Sequence, residues 1–490
     1  MDMLVDMPTL SKAPNLDKQV YLLGLDFGST TSSALVASAQ ISRGATGRMQ
    51  FSEINIVFRS ESAFTPFAND IIDLASVSKL IHSWLAQSRI SVHQLFSGGS
   101  IITGLAAQAD NASGLQVLIK EIVGDSVIAT ADDPCLESWL AFMGCSASLS
   151  RYHANEMILN LDIGGGTTNA ALGLNGDVQA TGCYFIGARH FQFVPGGYQL
   201  VAISSYGQAL LADLKIRKQI GDSLSKDECA TIVGYYVSAL ETIVQNQPDF
   251  FQSKVAKMHQ QVALNSHQCN NYQYNRPKIT FSGGVGELLY QFISGVDLPS
   301  TTHFGDLGID LARAIAQSPI LSADLQTFIP ENKGRATIYG LTLHNTEISG
   351  HTLFLPKPDV LPLSNLPIVA KLSFNMPIEQ WQSAFKLASS RKQGACIQII
   401  NLTSPNLANM RNLANMIQAH FLSSLYPENQ PLVILVEANI GKALGQYCSK
   451  WGEIMQNLIV IDEVPLRHAQ FLHIGRLHQQ MLPVSFFGMH

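Results

Sequence analysis

The chain has 490 residues, of which 46% are hydrophobic and only 14% are charged, a balance typical of a compact soluble protein rather than a disordered one. A net charge of −6 and a pI near 6.1 argue against nucleic acid or an anionic membrane as the main partner. No run of about 18 uncharged apolar residues occurs, so no membrane-spanning helix is predicted, and the length fits about three domains.

The N-terminal stretch 1–18 has two early aspartates and no long apolar run, so we expect a flexible leader rather than a signal peptide. The cysteines are scattered without a C-x-x-C pair, which fits free thiols in a reducing cytoplasm and offers no zinc or iron–sulfur cage. They are Cys135, Cys145, Cys183, Cys229, Cys269, Cys396 and Cys448.

The first informative stretch is Leu22–Val36, LLGLDFGSTTSSALV, in which two apolar runs flank a short polar turn. This pattern predicts a β-hairpin whose tip can hold phosphate. Gly28 lets the backbone approach an anion closely, and Asp26 places a carboxylate where hydrated Mg²⁺ can sit. Hydroxyl and amide donors follow at Ser29, Thr30 and Thr31. Alone this is weak evidence, because such turns also arise by chance.

Further along the first third of the chain, the pattern predicts strands and helices in alternation. Residues 50–58 alternate as a third strand, 71–88 show helical spacing, and 96–104 form a buried strand. Another helix is entered at Pro134, since proline is tolerated in a first helical turn. Glu137 lies on a flank of that helix.

The turn pattern returns in Asn160–Leu172, NLDIGGGTTNAAL, where Asp162 again ends an apolar run. Two copies favour phosphate binding far more strongly than one copy does. The candidates in this second turn are Gly164, Gly165, Gly166, Thr167 and Thr168.

Residues 278–287, KITFSGGVGE, predict a buried strand that leads through a glycine turn into a helix. Gly283, Gly284 and Glu287 are candidates for contact with a nucleoside, because a glycine turn lets a flat group lie against backbone. A plain strand-to-helix turn at Gly283–Gly286 stays the alternative interpretation.

Prolines between residues 356 and 367 indicate a domain boundary. Beyond it, residues 396–402, 432–437 and 458–463 are predicted strands that alternate with helices, which indicates a small α/β domain. The predicted division is a leader at 1–18, a first lobe at 19–155, a second lobe with a helical insertion at 156–355, and a C-terminal domain at 356–490.

The order of these motifs resembles the superfamily of actin, heat-shock chaperones and sugar kinases. Its phosphate 1, connect 1, phosphate 2, adenosine and connect 2 motifs match residues 24–31, 101–104, 161–168, 281–287 and 336–343. The resemblance implies an α/β, two-lobed actin-like ATPase fold of duplicated ribonuclease-H-like domains, with ATP or ADP and Mg²⁺ between the lobes. The C-terminal α/β domain is additional to that fold.

A closer resemblance, over almost the whole chain, is to the family of ethanolamine ammonia-lyase reactivating factors. It rests on NLDIGGGTTNAAL, FSGGVGE, GRATIYGLTLH, GKALG and VIDEV. It implies an ATP-dependent, chaperone-like factor of ethanolamine utilisation that frees damaged cobalamin from the lyase and admits intact adenosylcobalamin, a cofactor of the client enzyme. A cytoplasmic location, association with the ethanolamine-utilisation microcompartment and a homo-oligomeric state are further expectations from this resemblance.

The same resemblance implies roles for the candidate residues. Asp26 and Asp162 would hold Mg²⁺, and the residues of both turns would hold the phosphates. Gly283, Gly284 and Glu287 would border the nucleoside. The phosphate-holding set is Gly28, Ser29, Thr30, Thr31, Gly164, Gly165, Gly166, Thr167 and Thr168.

Two carboxylates are candidates for positioning the water that attacks the nucleotide. Heat-shock chaperones carry Glu-Pro where this chain has Asp133-Pro134, and the shorter aspartate reduces the reach. Glu137, one turn further on, is the other candidate. A solvated or helix-capping role for Glu137 stays the alternative.

Three other functions compete with the reactivating factor. A metabolite kinase of the same fold needs a catalytic carboxylate facing a substrate pocket, and residues 180–275 offer no convincing aspartate. An actin-like ATPase that forms filaments is the second alternative. An activator of radical dehydratases would need cluster-binding cysteines, which the chain lacks as a grouped set.

Overall fold

The computed structural model describes residues 19–28, 31–44, 48–61, 63–68, 71–103, 106, 109–124, 127–131, 133–264, 276–350, 352–402, 406–455 and 457–489. The predicted leader at 1–18, the phosphate-binding candidates Ser29 and Thr30, the last residue of connect 1, Gly104, and the thiol of Cys269 lie outside these residues. The six described cysteines are free and buried. Within the same ranges, no helix is both long enough and apolar enough to cross a membrane.

The first lobe is built on a mixed sheet with the strand order β3-β2-β1-β7-β8. Strand β1 runs antiparallel to β2 and parallel to β7, so the opening hairpin lies beside the buried strand predicted near residue 96. The elements are β1 Gln19–Phe27, β2 Thr31–Arg43, β3 Met49–Arg59, β4 Ala63–Phe64, β5 Phe67–Ala68, β6 Ile71–Ile72, α1 Leu74–Ser88, β7 Leu95–Ile102, α2 Ala112–Val123, β8 Val127–Ala131, α3 Pro134–Cys145 and α4 Ala147–Tyr152.

The second lobe repeats this plan with the strand order β14-β11-β10-β9-β15. Again the first strand, β9, is antiparallel to the second, β10, and parallel to the last, β15. The elements are β9 Ile158–Ile163, β10 Thr168–Leu174, β11 Asp177–Tyr184, β12 Phe191–Phe193, β13 Leu200–Ile203, α5 Ser205–Asp213, α6 Lys226–Gln245, α7 Lys254–Met258, β14 Gln260–Val262, β15 Lys278–Ser282, α8 Gly283–Ile293, α9 Gly308–Gln317 and α10 Ala336–Leu343.

The two lobes share the order of four strands, β3-β2-β1-β7 in the first and β11-β10-β9-β15 in the second, and the register of the first hairpin. Asp26 pairs with Ser33 in the first hairpin, and Asp162 pairs with Asn169 in the second. The two aspartates therefore occupy equivalent positions at the ends of equivalent strands. This duplication, with a three-stranded antiparallel meander continued by a parallel strand, confirms the two-lobed fold predicted from the sequence.

Each lobe's sheet is covered on one face by the helix that follows the other lobe in the chain. Helix α10 packs on the first sheet, where a Cβ on Gly24 would overlap the Thr342 side chain. Helix α3 packs on the second sheet, where a Cβ on Gly173 would overlap the Phe142 ring. The two helices also contact each other closely, since neither Gly144 nor Gly340 has room for a Cβ at their crossing. Their crossing lies between the two lobes.

The C-terminal part forms a seven-stranded sheet with the order β16-β22-β21-β17-β18-β19-β20. Strands β17 to β20 are parallel and alternate with helices, so the predicted C-terminal α/β domain is confirmed. The sheet also contains the antiparallel β16, β21 and β22, which the sequence pattern did not predict. The elements are β16 Thr346–Ser349, β17 Leu363–Ser373, α11 Ile378–Ser389, β18 Ala395–Ile400, α12 Leu407–Ser423, β19 Leu432–Val436, α13 Gly441–Cys448, β20 Leu458–Ile461, β21 Ala469–Ile474 and β22 Leu482–Met489.

Candidate functional site

A cavity of about 480 Å³ lies between the two lobes, and both hairpin turns open into it. The starts of helices α8 and α10 complete its wall. Most of the site residues predicted from the sequence lie on this one surface. They are Asp26, Gly28, Thr31, Glu137, Asp162, Gly164, Gly165, Gly166, Thr167, Gly283, Gly284 and Glu287.

The first turn is closed by a hydrogen bond from Gly28 N to Thr31 O at 3.0 Å. From outside the hairpin, Thr65 Oγ1 donates to Gly28 O at 2.7 Å, and Thr103 N donates to Phe27 O at 3.0 Å. These bonds fix the end of β1, so Asp26 is held at the cavity wall.

The second turn has the same closure, since Gly164 N donates to Thr167 O at 2.9 Å. The segment after β11 supports it from behind. Ala188 N donates to Gly164 O at 3.1 Å, and Arg189 N donates to Gly165 O at 2.6 Å. A Cβ on Gly187 would overlap the Gly165 carbonyl, so glycine is required for this close approach. The glycine turn is therefore braced rather than loose.

Three carboxyl groups face one another across the cavity. Burial, and then repulsion from Asp162, raise the pKa of Asp26 to about 7. Burial raises the pKa of Asp162 to about 6, although Ser282 Oγ donates a hydrogen bond to its Oδ1 at 2.5 Å. Burial raises the pKa of Glu137 well above its usual value, with repulsion from both aspartates as further causes. The wall is acidic and short of counter-charge.

Glu137 is held from both lobes. It accepts hydrogen bonds from Thr103, beside the first turn, and from Asn169, on the strand after the second turn. Its side chain is half-buried and lines the cavity, which is where a water-positioning carboxylate would be needed.

Two other candidates lie away from the cavity wall. Asp133 caps helix α3, because its Oδ1 accepts from Leu136 N at 3.1 Å and its Oδ2 accepts from Gly488 N at 2.6 Å. Both oxygens thus accept from backbone N–H groups, and of the two carboxylates it is Glu137 that lines the cavity. The buried Thr168 donates its hydroxyl to Ile186 O at 2.7 Å, and this bond braces the second turn.

The glycine pair after β15 is shaped differently from the sequence expectation. No separate turn intervenes, because helix α8 begins at Gly283 immediately after the strand. Gly283 has φ +77°, and a Cβ there would overlap Ile163. Gly284 has open space in front of it, so a ligand can approach its backbone. Glu287 is exposed at the far end of the cavity beside Gly334.

The sequence reasoning missed several residues of the wall. Asp306 is buried and lines the cavity from the second lobe, and burial raises its pKa. Its signal is the D-x-G spacing of both hairpin turns, repeated at Asp306 and Gly308, whose N–H donates to Asp306 Oδ1 at 2.9 Å. Phe64 and Phe304 line the same cavity although they are 69% and 44% exposed. Arg335 supplies a cation at the start of α10.

The donor chemistry of the wall fits Mg²⁺ held through water. Among the described residues, no three His, Cys, Asp or Glu side chains are grouped to cage a metal ion directly. Mg²⁺ keeps several waters and is bound by one or two carboxylates together with phosphates. Asp26 and Asp162 have raised pKa values and no cation among the causes of those shifts, so they fit this mode of Mg²⁺ binding.

Comparisons with known proteins agree with one another. The family model for the ethanolamine utilisation protein EutA matches residues 18–486. A Salmonella typhimurium protein named ethanolamine ammonia-lyase reactivase EutA is 28% identical over 477 residues, covering 94% of this chain and 95% of that protein. The Escherichia coli protein of the same name is 27% identical over 467 residues, with coverage of 94% and 95%.

Among solved structures, the ethanolamine utilization protein EutJ from Carboxydothermus hydrogenoformans is 14% identical, with a TM-score of 0.30 over 67% of this chain and 91% of that chain. A TM-score this low supports no conclusion about function. The match of the family model extends over nearly all of the chain, from before β1 into β22. The chain belongs to the family of the ethanolamine utilisation protein EutA.

Proposed function

We propose that this chain is an ATP-dependent reactivating factor for adenosylcobalamin-dependent ethanolamine ammonia-lyase. It releases damaged cobalamin from the stalled lyase so that intact adenosylcobalamin can bind. The family membership and the printed names of the two relatives support the client, and the cavity between the lobes supports the nucleotide. Under the same proposal, the protein acts in the cytoplasm in association with the ethanolamine-utilisation microcompartment.

The observation that carries the nucleotide is the convergence of two equivalent turns on three carboxyl groups. The second turn has backbone N–H groups at Gly165 and Gly166 on the cavity wall, and each turn begins two residues after an aspartate. Such N–H groups bind phosphate oxygens, while the aspartates bind a divalent cation with its waters. A ligand that satisfies both needs at once is a nucleoside triphosphate with Mg²⁺.

Each group has a defined task in hydrolysis. Asp26 and Asp162 would hold Mg²⁺, which when bound would supply positive charge for phosphoryl transfer. Glu137 orients the attacking water and accepts its proton. Burial, and then repulsion from the two aspartates, raise the pKa of Glu137, so a cation held by these aspartates would lower it.

Helices α3 and α10 couple ligand binding in the cavity to a movement of the two lobes. Residues from both lobes contact the same ligand, so binding draws the lobes together and release lets them part. Helices α3 and α10 cross between the lobes and carry wall residues of the cavity, so they move with it. A lobe movement of this kind loosens the grip of the client on its cofactor.

The test is the rescue of cyanocobalamin-inhibited lyase by the protein with ATP, Mg²⁺ and free adenosylcobalamin, read as deamination. Asp162→Asn keeps an acceptor for Ser282 but removes the charge, so rescue should fall by about 100-fold or more while the fold stays intact. The matched control is Asp297→Asn, an exposed aspartate remote from the wall. Full rescue by Asp162→Asn, or none by the wild-type protein, would overturn the proposal.

A metabolite kinase is the second candidate function. Such an enzyme needs a carboxylate that faces its substrate pocket, and residues 180–275 offered no convincing one, but Asp306 lines the cavity. A kinase hydrolyses or transfers phosphate faster when its small substrate is added. A reactivating factor instead turns over ATP slowly alone and responds to the lyase. ATP turnover measured with sugars and, separately, with the lyase distinguishes the two.

A further inference from the structure

The last strand of the chain is fastened to the helix that carries Glu137. Gly488 N, in β22, donates to Asp133 Oδ2 at 2.6 Å, while Oδ1 of the same carboxylate accepts from Leu136 N in the first turn of α3. One side chain therefore caps the helix and binds the C-terminal strand. A cap needs only one oxygen, so the second bond calls for another reason.

Apolar packing reinforces the attachment. Phe487, next to the donor, is 5% exposed and packs with Leu136 and Leu140 of α3. Strand β22 itself is held between β16 and β21, so it moves with the C-terminal sheet rather than alone. The start of α3 is thus attached to the C-terminal domain by a hydrogen bond and by a buried aromatic ring.

The attachment lies one helical turn from the cavity. Glu137 N donates to Asp133 O at 3.0 Å, so the two residues belong to the same turn of backbone. The opposite face of α3 is not fully packed: Trp139 and Met143 border a second cavity of about 770 Å³, which Met489 of β22 also lines. This face of helix α3 therefore borders open space beside β22.

We propose that Asp133 is a positioning residue that couples the C-terminal domain to nucleotide hydrolysis through Glu137. The inference rests on the proposed function, which supplies the hydrolysis. A displacement of β22 pulls the first turn of α3 and moves the Glu137 carboxylate relative to the two hairpin turns. A partner protein bound to the C-terminal domain changes the hydrolysis rate by this route.

Asp133→Ser keeps the helix cap but removes the hydrogen bond to Gly488 N, because serine still caps a helix but is too short to hold Gly488 as well. We expect the kcat for ATP to fall about tenfold with the nucleotide KM unchanged, since a misplaced catalytic group slows the reacting step without removing a binding contact. The matched control is Asp73→Ser, because the Asp73 side chain also caps a helix, α1, through Ala75 N and Ser76 N, and does not line the cavity. Its kcat should equal that of the wild-type protein.

A second variant keeps the test independent of the substitution at Asp133. A chain that ends at Phe487 lacks the Gly488 donor but retains the capping carboxylate, and the same fall in kcat is expected. Amide exchange in α3 of this shortened chain should also quicken by about tenfold, with α1 unchanged. If the wild-type protein hydrolyses no ATP, the proposed function is overturned, while amide exchange in α3 still tests whether the Gly488 contact holds that helix. Wild-type kcat in both variants, or unchanged exchange in α3, overturns the coupling.

Discussion

Burying a carboxyl group costs free energy unless a positive charge or several donors compensate, and no cation is among the causes that shift the pKa of Asp26, Glu137 or Asp162. Burial is therefore the largest cause of the raised pKa of each of these three carboxyl groups. Under the proposed function, a divalent ion held near these carboxyl groups would offset their repulsion, so the residues that cost folding free energy would be those that favour the ligand. Fold stability and ligand affinity are therefore in opposition at these positions.

His190 behind the second turn predicts a loss of stability in acid. It is 1% exposed, its Nδ1 lies 2.8 Å from Ser204 Oγ, and burial, with His259 nearby, lowers its pKa to about 4. The unfolded chain takes up a proton near pH 6.5 while the folded chain does not until about pH 4. Lowering the pH from 7 to 5 should therefore reduce the free energy of unfolding by about 2 kcal/mol through this residue.

The measurement is denaturant unfolding at pH 7 and pH 5 for the wild-type protein and for His190→Gln, which cannot titrate. The variant should lose about 2 kcal/mol less between the two pH values than the wild-type protein does. His93→Gln, at an exposed position, is the matched control and should keep the wild-type difference. An equal pH dependence in His190→Gln and the wild-type protein would contradict the assignment.

At the scale of elements, the crossing of α3 and α10 predicts an unusually costly glycine. A Cβ on Gly340 would overlap the Leu140 carbonyl, which is backbone and cannot rotate away. Gly340→Ala should force the helices apart, lower the free energy of unfolding by about 1–3 kcal/mol and slow ATP turnover. Gly234→Ala, at an exposed mid-helix position with open space in α6, should raise it by about 0.5–1 kcal/mol. Denaturant unfolding of both variants is decisive, and similar effects at the two positions would count against the tight crossing.

Local signals allowed the hairpins and the alternation after residue 356 to be predicted, because each depends on a run of neighbouring residues. The D-x-G pattern can be recognised from a few neighbouring residues, at Asp26 and again at Asp162. The role of Asp133 could not be predicted, because its partner Gly488 is 355 residues away. For the same reason the exchange of α3 and α10 between the lobes and the place of β16 in the C-terminal sheet needed the structure.

At the scale of the whole molecule, the C-terminal domain and the first lobe are joined by charge as well as by packing. Arg43 of β2 lies 3.5 Å from the buried Glu463, and Arg48 lies 3.7 Å from Glu437. A polar seam runs beside them, with Ser97 and Thr346 hydroxyls 2.8 Å apart. The first lobe therefore meets the C-terminal domain over a broad contact, whose residues are distinct from those that line the cavity between the lobes.

This contact is asymmetric, which predicts that the two parts of the chain differ in their ability to fold alone. Met481 is packed with Val20 and Phe96, and Phe487 with Ile101, so the first lobe's core is completed by C-terminal side chains. The parallel half of the C-terminal sheet instead packs against its own helices, with Trp381 and neighbours forming a core drawn from residues 354–460.

A chain that ends at residue 355 should therefore be aggregation-prone or unfold at lower denaturant, since each buried side chain it loses is worth about 1.5–3 kcal/mol. A fragment of residues 356–490 should be soluble and unfold cooperatively. Circular dichroism and denaturant unfolding of both fragments, beside the full chain, measure this. In the full chain, Phe487→Ala isolates one of the lost contacts and should lower the unfolding midpoint. A fragment ending at residue 355 with the full chain's midpoint would contradict the shared core, because nothing would then replace the C-terminal side chains on the first lobe.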